Sequence, residues 1–424
     1  MIKRSVSVIL FLFLMLHSAF SEKSTYLFAN GGDISWLPEM EKESNFQFLN
    51  DNGVAQDCFQ ILKDHGINTI RLRTWVNPSM TDWKNGHCSM AETVAMAVRA
   101  QSFGMRVMID FHYSDTWADP GHQAKPAAWV GHDFPTLLND LYNYTYGVMT
   151  ALNAAGVTPE WAQVGNETSG GMVYPEGSTN YWSQLAQLIN KGYDAIKAVS
   201  PTTKVVLHID QGNNNSRFRS WFDNAKNYGA KYDVIGMSYY PYWLSGSPDY
   251  TLSINSLASN LNDMVTRYGK EVMVVEVGGP ATNAQNTYDM LTAVINKVKA
   301  VPNNAGLGVI YWEPEGAQSW SGYALSAWGS DHKPTIALNA FNNLTALDNP
   351  EASNLIMKQD IQNHSVYFDT DLSKIEIIDM NGLIIKSVST TNSISTNNIP
   401  KGFYLIKTSS ALSNRSTVFK LICN

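Results

Sequence analysis

The chain has 424 residues, 44% hydrophobic and 16% charged, which supports one large core with a smaller second one and excludes global disorder. Its formal net charge is −7 and no basic stripe runs through it, which excludes an electrostatic nucleic-acid binder. The three cysteines, Cys58, Cys88 and Cys423, are too few for a disulfide framework or a cysteine-based metal cluster.

The first segment reads as a leader. Met1-Ile2-Lys3-Arg4 carries the charge, an apolar run extends from Val6 to Leu16, and small residues lead to Ser21. This is the layout of a signal peptide over 1–21, and its apolar run is too short to span a membrane comfortably. The mature chain is therefore expected to be exported and soluble. In an oxidising compartment Cys58 and Cys88 either pair or remain buried thiols.

From residue 30 to 316 short apolar runs alternate with helical patterns. The predicted strands are 32–37, 69–76, 106–112, 161–165, 204–209, 234–239, 272–277 and 308–312. Helical patterns cover 56–65, 90–103, 134–155, 181–199, 252–268 and 287–301. Strands alternating with helices build right-handed βαβ units. Eight of them predict a closed α/β fold, a (β/α)8 TIM barrel over 24–345. An open doubly wound sheet is the alternative, but no G-x-G-x-x-G follows the first strand.

Barrel enzymes carry their chemistry where the strands end. Here those ends are polar or aromatic: Arg71 and Arg73, Asp110-Phe111-His112, Asn166-Glu167, His208, Tyr239-Tyr240, Glu276, and Trp312-Glu313. Asn166-Glu167-Thr168 also matches a glycosylation acceptor, although a strand end is a poorly exposed place for one. Glu167 after strand four and Glu276 on strand seven can face each other across a bound chain. Glycoside hydrolysis needs such a pair, one carboxyl to protonate the leaving oxygen and one to attack the anomeric carbon. Arg71 or Arg73 and a tyrosine hydroxyl are candidates to keep Glu276 ionised. His112 is expected to bond the acid or the sugar, Asn166 the sugar 2-hydroxyl, and Trp312 to stack as a floor. Zinc chemistry finds no H-E-x-x-H and no third ligand beside His208-Ile209-Asp210, and a serine hydrolase finds no G-x-S-x-G.

Past residue 345 the texture changes. All twelve tryptophans lie before residue 329. A linker at 346–354 is followed by alternating runs separated by Asn381-Gly382 and Pro400-Lys401-Gly402. These predict a small antiparallel β-sandwich over 355–424.

The barrel segment resembles glycoside hydrolase family 53, the endo-β-1,4-galactanases. The resemblance rests on Gly32-Asp33-Ile34-Ser35-Trp36-Leu37, on Ile70 to Pro78, on Asp110 to Gly121, and on Gly165-Asn166-Glu167, Val275-Glu276 and Tyr311-Trp312-Glu313-Pro314. It implies Glu167 as acid/base, Glu276 as nucleophile, a retaining mechanism, and β-1,4-galactan of pectin as the polysaccharide partner. Arg71, Arg73, His112, Asp115, Trp117, Asn166, His208, Tyr240, Trp243 and Trp312 are then the substrate-binding candidates. The loop Gly278 to Asn286 has no carboxylate, so no calcium site is expected there, and no cofactor is expected elsewhere. Mannan, xylan or cellulose are the alternative substrates, and a non-catalytic glycan-binding protein is the alternative class. The tail resembles type IX secretion sorting domains through Ile377 to Gly382 and Ile399 to Tyr404, which implies the secretion machinery as a partner. A carbohydrate-binding module is its rival, without tryptophan to stack on. The enzyme is expected to act as a monomer.

Overall fold

The computed structural model describes residues 27–44, 46–78, 86–342, 357–360, 364–379, 383–409 and 416–423. The leader at 1–21 and the linker at 346–354 lie outside them. Eight parallel strands close in chain order: β1 (Ala29–Asp33), β2 (Thr69–Thr74), β3 (Arg106–Phe111), β4 (Trp161–Val164), β5 (Lys204–Ile209), β6 (Val234–Tyr239), β7 (Glu271–Val277) and β8 (Gly306–Trp312). The ring shuts where β1 pairs β8, with Ala29 opposite Gly308 and Asp33 opposite Trp312. A Cβ at Gly308 would stand 2.4 Å from Ala29 Cβ, so only glycine lets these strands approach.

Side chains alternate along each strand, and the two faces have different tasks. The outward set, such as Ile70, Leu72, Ile109, Phe111, Leu207 and Ile235, packs under the helices in the main core. The inward set forms two layers. Ala29, Met108, Trp161, Val206, Val234, Met273, Val275, Leu307 and Ile310 fill the lower barrel as a separate apolar cluster. Above it the strands, now including β2, present buried Asp33, Arg71, Arg73, Asp110, Gln163, His208, Ser238 and Glu276. The mouth is thus polar because the inward alternation turns from apolar to polar toward the strands' C-terminal ends, and on β2 is polar throughout.

Helices α1 (Leu37–Lys42), α2 (Cys58–Asp64), α3 (Met90–Ser102), α4 (Phe134–Ala154), α5 (Trp182–Val199), α6 (Asn215–Asn227), α7 (Ile254–Tyr268) and α8 (Ala284–Lys299) join the strands. Asp57, Ser89 and Asp133 cap α2, α3 and α4 by accepting from exposed backbone N–H groups, and Gly269 ends α7 with φ of 63°.

Two expectations shift. The first strand is Ala29–Asp33, earlier than 32–37. Pro38 opens α1 just after Trp36, so the chain past Asp33 turns into a helix instead of extending. Helix α6 has no predicted counterpart, because its Asn- and Arg-rich sequence hides the stripe of Phe218, Trp221, Phe222 and Ala225 that it buries. Cys58 and Cys88 are both free and buried, and a bridge between them is not formed. Cys88 Sγ donates instead to Ser35 O.

The tail forms a five-stranded antiparallel sheet of β9 (Met357–Asp360), β10 (Ser365–Ile378), β11 (Ile384–Ser395), β12 (Gly402–Ser409) and β13 (Ser416–Cys423). A register shift between Tyr367 and Leu372 bends β10, and Val366, Phe368, Leu372, Ile375, Ile377, Ile394, Ile406 and Leu421 bury a core of their own.

Candidate active site

Arg71 is the hub of the barrel mouth. It is fully buried, and its guanidinium reaches four other strands or their ends. Nη1 donates to Asp33 Oδ2 at 2.7 Å on β1, and Nη2 to Asp110 Oδ2 at 2.8 Å on β3 and Asn166 Oδ1 at 2.9 Å after β4. Glu276 Oε1 on β7 stands 3.0 Å from the same Nη2, an ion pair not aligned as a hydrogen bond. A charge held in this way must be matched by buried countercharge. Asp33, Asp110 and Glu276 supply it and hold Arg71 well above its usual range against the opposing effect of burial.

Glu276 reaches the mouth through a bulge. Val275 lies in the lower interior cluster, so strict alternation would turn Glu276 out toward the helices. The β6–β7 register skips one residue, pairing Met237 with Val274 and then Ser238 with Glu276. The extra residue puts both Val275 and Glu276 inside. Tyr240 donates its hydroxyl to Glu276 Oε2 at 3.4 Å. Burial pushes the Glu276 carboxyl well up. Arg71 pulls it down, while Glu167, Asp110 and Asp33 push it further up.

Glu167 stands on a turn with left-handed backbone, φ 43° and ψ 51°, directly after β4. Gly165 begins that turn with φ of 79°. Ser238 donates its hydroxyl to Glu167 Oε1 at 2.5 Å. Burial is the largest influence and pushes Glu167 up to about 7. Ser238 opposes it, Asp210 and Asp119 add to it, and Arg71 opposes it more weakly. Buried Glu276 and half-buried Glu167 therefore both stand at the barrel mouth, where the charge of Glu167 raises Glu276.

A second group surrounds Arg73. It pairs with Glu313 and lies 4.3 Å over the Trp117 ring, 5.5 Å from Trp75 and 5.8 Å from Trp36. Trp36 meets Trp117, Trp312, Trp320 and Tyr323 edge-on. Trp312, Trp117 and Tyr323 remain half-buried, so ring surface is left toward the mouth. Burial pushes Glu313 up to about 7 against Arg73, and neighbouring Glu315, fully buried, is raised further by burial and by Glu313.

The predicted residues separate into groups. Arg71, Asn166, Glu167, His208, Tyr240 and Glu276 come together, but Arg73 does not hold Glu276, because Glu313 takes it. His112, expected on the acid or the sugar, has both ring nitrogens engaged by protein. Nε2 faces Asp110 Oδ2 at 2.9 Å, and Nδ1 accepts from Ala118 N and Trp75 Nε1. His208 is fully buried and supports the site from beneath, without a face for sugar. Asp115 ties two loops by accepting from Asn77 N and Ala127 N. Trp243 is 64% exposed, packed edge-on against Tyr242 at the rim. Asn166 is 5% exposed and Thr168 1%, which leaves no room for a glycan. Sequence reasoning assigned no role to Asp33, Gln163, Ser238, Trp36 and Glu315. For Asp33, Gln163 and Ser238 the available signal is a polar residue at an inward position of an apolar strand; Trp36 and Glu315 lie past strand ends and carry no such signal.

A closed parallel barrel with two interacting carboxyls at the ends of β4 and β7, one ion-paired to a buried arginine, has the layout of a glycosidase. Comparison with known proteins agrees. Residues 29–348 match glycosyl hydrolase family 53, and residues 349–424 match the secretion system C-terminal sorting domain. An arabinogalactan endo-beta-1,4-galactanase of Thermothelomyces thermophilus is 34% identical over 298 residues, covering 65% of this chain and 86% of that one. A probable arabinogalactan endo-beta-1,4-galactanase A of Aspergillus terreus is 35% identical, covering 67% and 84%. Among solved structures, the GH53 catalytic domain of Ignisphaera aggregans aligns with a TM-score of 0.68 at 27% identity, covering 74% of this chain and 95% of that one. A fungal beta-1,4-galactanase aligns with a TM-score of 0.67 at 31% identity, covering 75% and 100%. The chain belongs to glycosyl hydrolase family 53 and is a glycosidase. Its tail is a sorting domain, which implies export to the cell surface or beyond.

Proposed function

We propose that the protein is a retaining endo-β-1,4-galactanase acting on galactan side chains of pectin, with Glu276 as nucleophile and Glu167 as acid/base. The observation that carries this reading is the unequal partnering of the two carboxyls at the mouth. Glu276 has a guanidinium nitrogen 3.0 Å away, whereas the group that bonds the Glu167 carboxylate is a neutral hydroxyl. Burial raises both, and Glu167 raises Glu276 further. A pair of this kind sheds its first proton from the carboxyl beside the cation. Glu276 is then anionic and Glu167 keeps the shared proton, the state that a double displacement requires at its start.

Glu276 attacks the anomeric carbon while Glu167 protonates the leaving oxygen. Glu167, now a carboxylate, then takes a proton from water that hydrolyses the glycosyl ester. Asn166 Nδ2 donates one hydrogen to Ala118 O at 2.8 Å and has a second for the sugar 2-hydroxyl. Trp117 and Trp312 offer ring faces to the sugar. The substrate is taken from the names of the relatives, which are arabinogalactan endo-β-1,4-galactanases. The leader at 1–21 begins export, and the tail delivers the enzyme through a type IX route.

The test is hydrolysis of linear β-1,4-galactan followed by NMR of the first product. The β-anomer appearing first is expected. An α-anomer would exclude retention, and preference for mannan, xylan or cellulose would exclude the substrate.

A further inference from the structure

We propose that His208 and Ser238 form a one-way hydrogen-bond relay that fixes which oxygen of Glu167 carries the acid's proton. The relay rests on the reading of Glu167 as acid/base, and both of its members are positioning residues with no exposed face.

The direction of the relay follows from donors that cannot reverse. The backbone N–H of Glu167 points at His208 Nδ1, 3.4 Å away. The amide nitrogen of Gln163 stands 3.0 Å from the same atom. That amide is oriented by Arg71, which donates to Gln163 Oε1 at 3.2 Å, so its NH2 must face the imidazole. A backbone N–H is always a donor, so Nδ1 must accept, and the single proton of the neutral ring sits on Nε2. Burial, Arg71 and His112 all lower the His208 pKa well below its usual value, which keeps the ring neutral. Nε2–H then donates to Ser238 Oγ across 2.7 Å. With that lone pair filled, the serine hydroxyl turns its own hydrogen to Glu167 Oε1 at 2.5 Å.

Oε1 is thereby held as an acceptor in both protonation states of Glu167. The proton must reside on Oε2, the oxygen left for the glycosidic bond. It leaves from Oε2 to the leaving group in the first step and returns to Oε2 from water in the second, and no proton travels along the relay. The donor also favours the carboxylate, opposing burial and the repulsion from Asp210 and Asp119 in concert with Arg71. Tyr240, Tyr323, Asp110 and Asp33 are further titratable groups facing the Glu167–Glu276 pair. Asn166 Oδ1, 3.1 Å from Nδ1, is the acceptor that the opposite tautomer would use.

Two measurements test the relay on the full chain. The first is 15N NMR of His208 in the wild type between pH 5 and 9. The Nε2–H tautomer throughout is expected, and an Nδ1–H or imidazolium signal overturns the relay. The second is the pH profile of kcat/KM on galactan. Ser238→Ala should move the basic limb to higher pH by about 0.5–1 unit, because a donor to the carboxylate is lost. Ser238→Thr, which keeps the hydroxyl, should leave the limb in place. A Ser238→Ala limb that stays with the wild type, or a Ser238→Thr limb that moves equally, overturns the proposal. Absence of any galactan hydrolysis by the wild type would instead sink the enzymatic reading, while the tautomer measurement would still decide the relay's direction.

Discussion

At the scale of single residues, the mouth works by giving like carboxyls unlike neighbours. Glu276→Ala should lower kcat on galactan by about 10⁴-fold or more while the protein remains folded, measured by reducing ends released. Arg71 lowers the Glu276 pKa, so Arg71→Met should leave Glu276 protonated to higher pH. The acidic limb of kcat/KM should then rise by roughly 1–3 units. The same substitution strands Asp33 and Asp110 without their cation and should destabilise the fold by about 3–5 kcal/mol, read as a lower Tm. Glu167 gives the opposite trade. Its pKa is raised in the folded chain from a usual 4.5 to about 7. A raised acid contributes stability below its unfolded pKa and loses it as pH rises through its folded one. Glu167→Gln should therefore gain about 3 kcal/mol over the wild type at pH 8, a gap that closes toward pH 4 in paired thermal melts, while activity is lost.

At the scale of elements, small backbone departures aim these groups. The β7 bulge turns Glu276 inward, and the left-handed turn after β4 presents Glu167. A Cβ at Gly165 would lie 2.6 Å from Thr168 Cγ2 and 2.9 Å from Met172 Sδ, on a φ of 79°. Gly165→Ala should reduce kcat by about tenfold or more through displacement of Glu167, with a stability loss of about 1–3 kcal/mol. Equal kcat with lower Tm would show that the turn is only structural. Such features mark the limit of what the sequence shows. Apolar runs ending in polar residues place seven strands closely, and the eightfold alternation gives the barrel. The first strand is displaced because Asn30-Gly31-Gly32 carries little strand propensity. Glu276 is readable as a strand-end residue, but not the bulge that turns it inward. His112 and His208 are equally visible as strand-end histidines. Their different tasks depend on which donors meet each ring nitrogen, and that is set by tertiary contacts alone.

At the scale of the whole molecule, the barrel and the tail each bury their own core. The barrel closes from β1 through β8 without a strand from the tail. A chain ending at residue 348 should keep kcat/KM on soluble galactan within about twofold of full length, and lose delivery in the native host. A loss of more than tenfold with an intact fold would show that the tail serves the site. The Arg71 hub has a further consequence for an exported hydrolase. Its partners come from β1, β3, the end of β4 and β7, which meet only once the ring has shut. Until then Glu276 has no guanidinium beside it. The proposed nucleophile thus gains its cation only in the closed cylinder, which ties the proposed chemistry to completed folding.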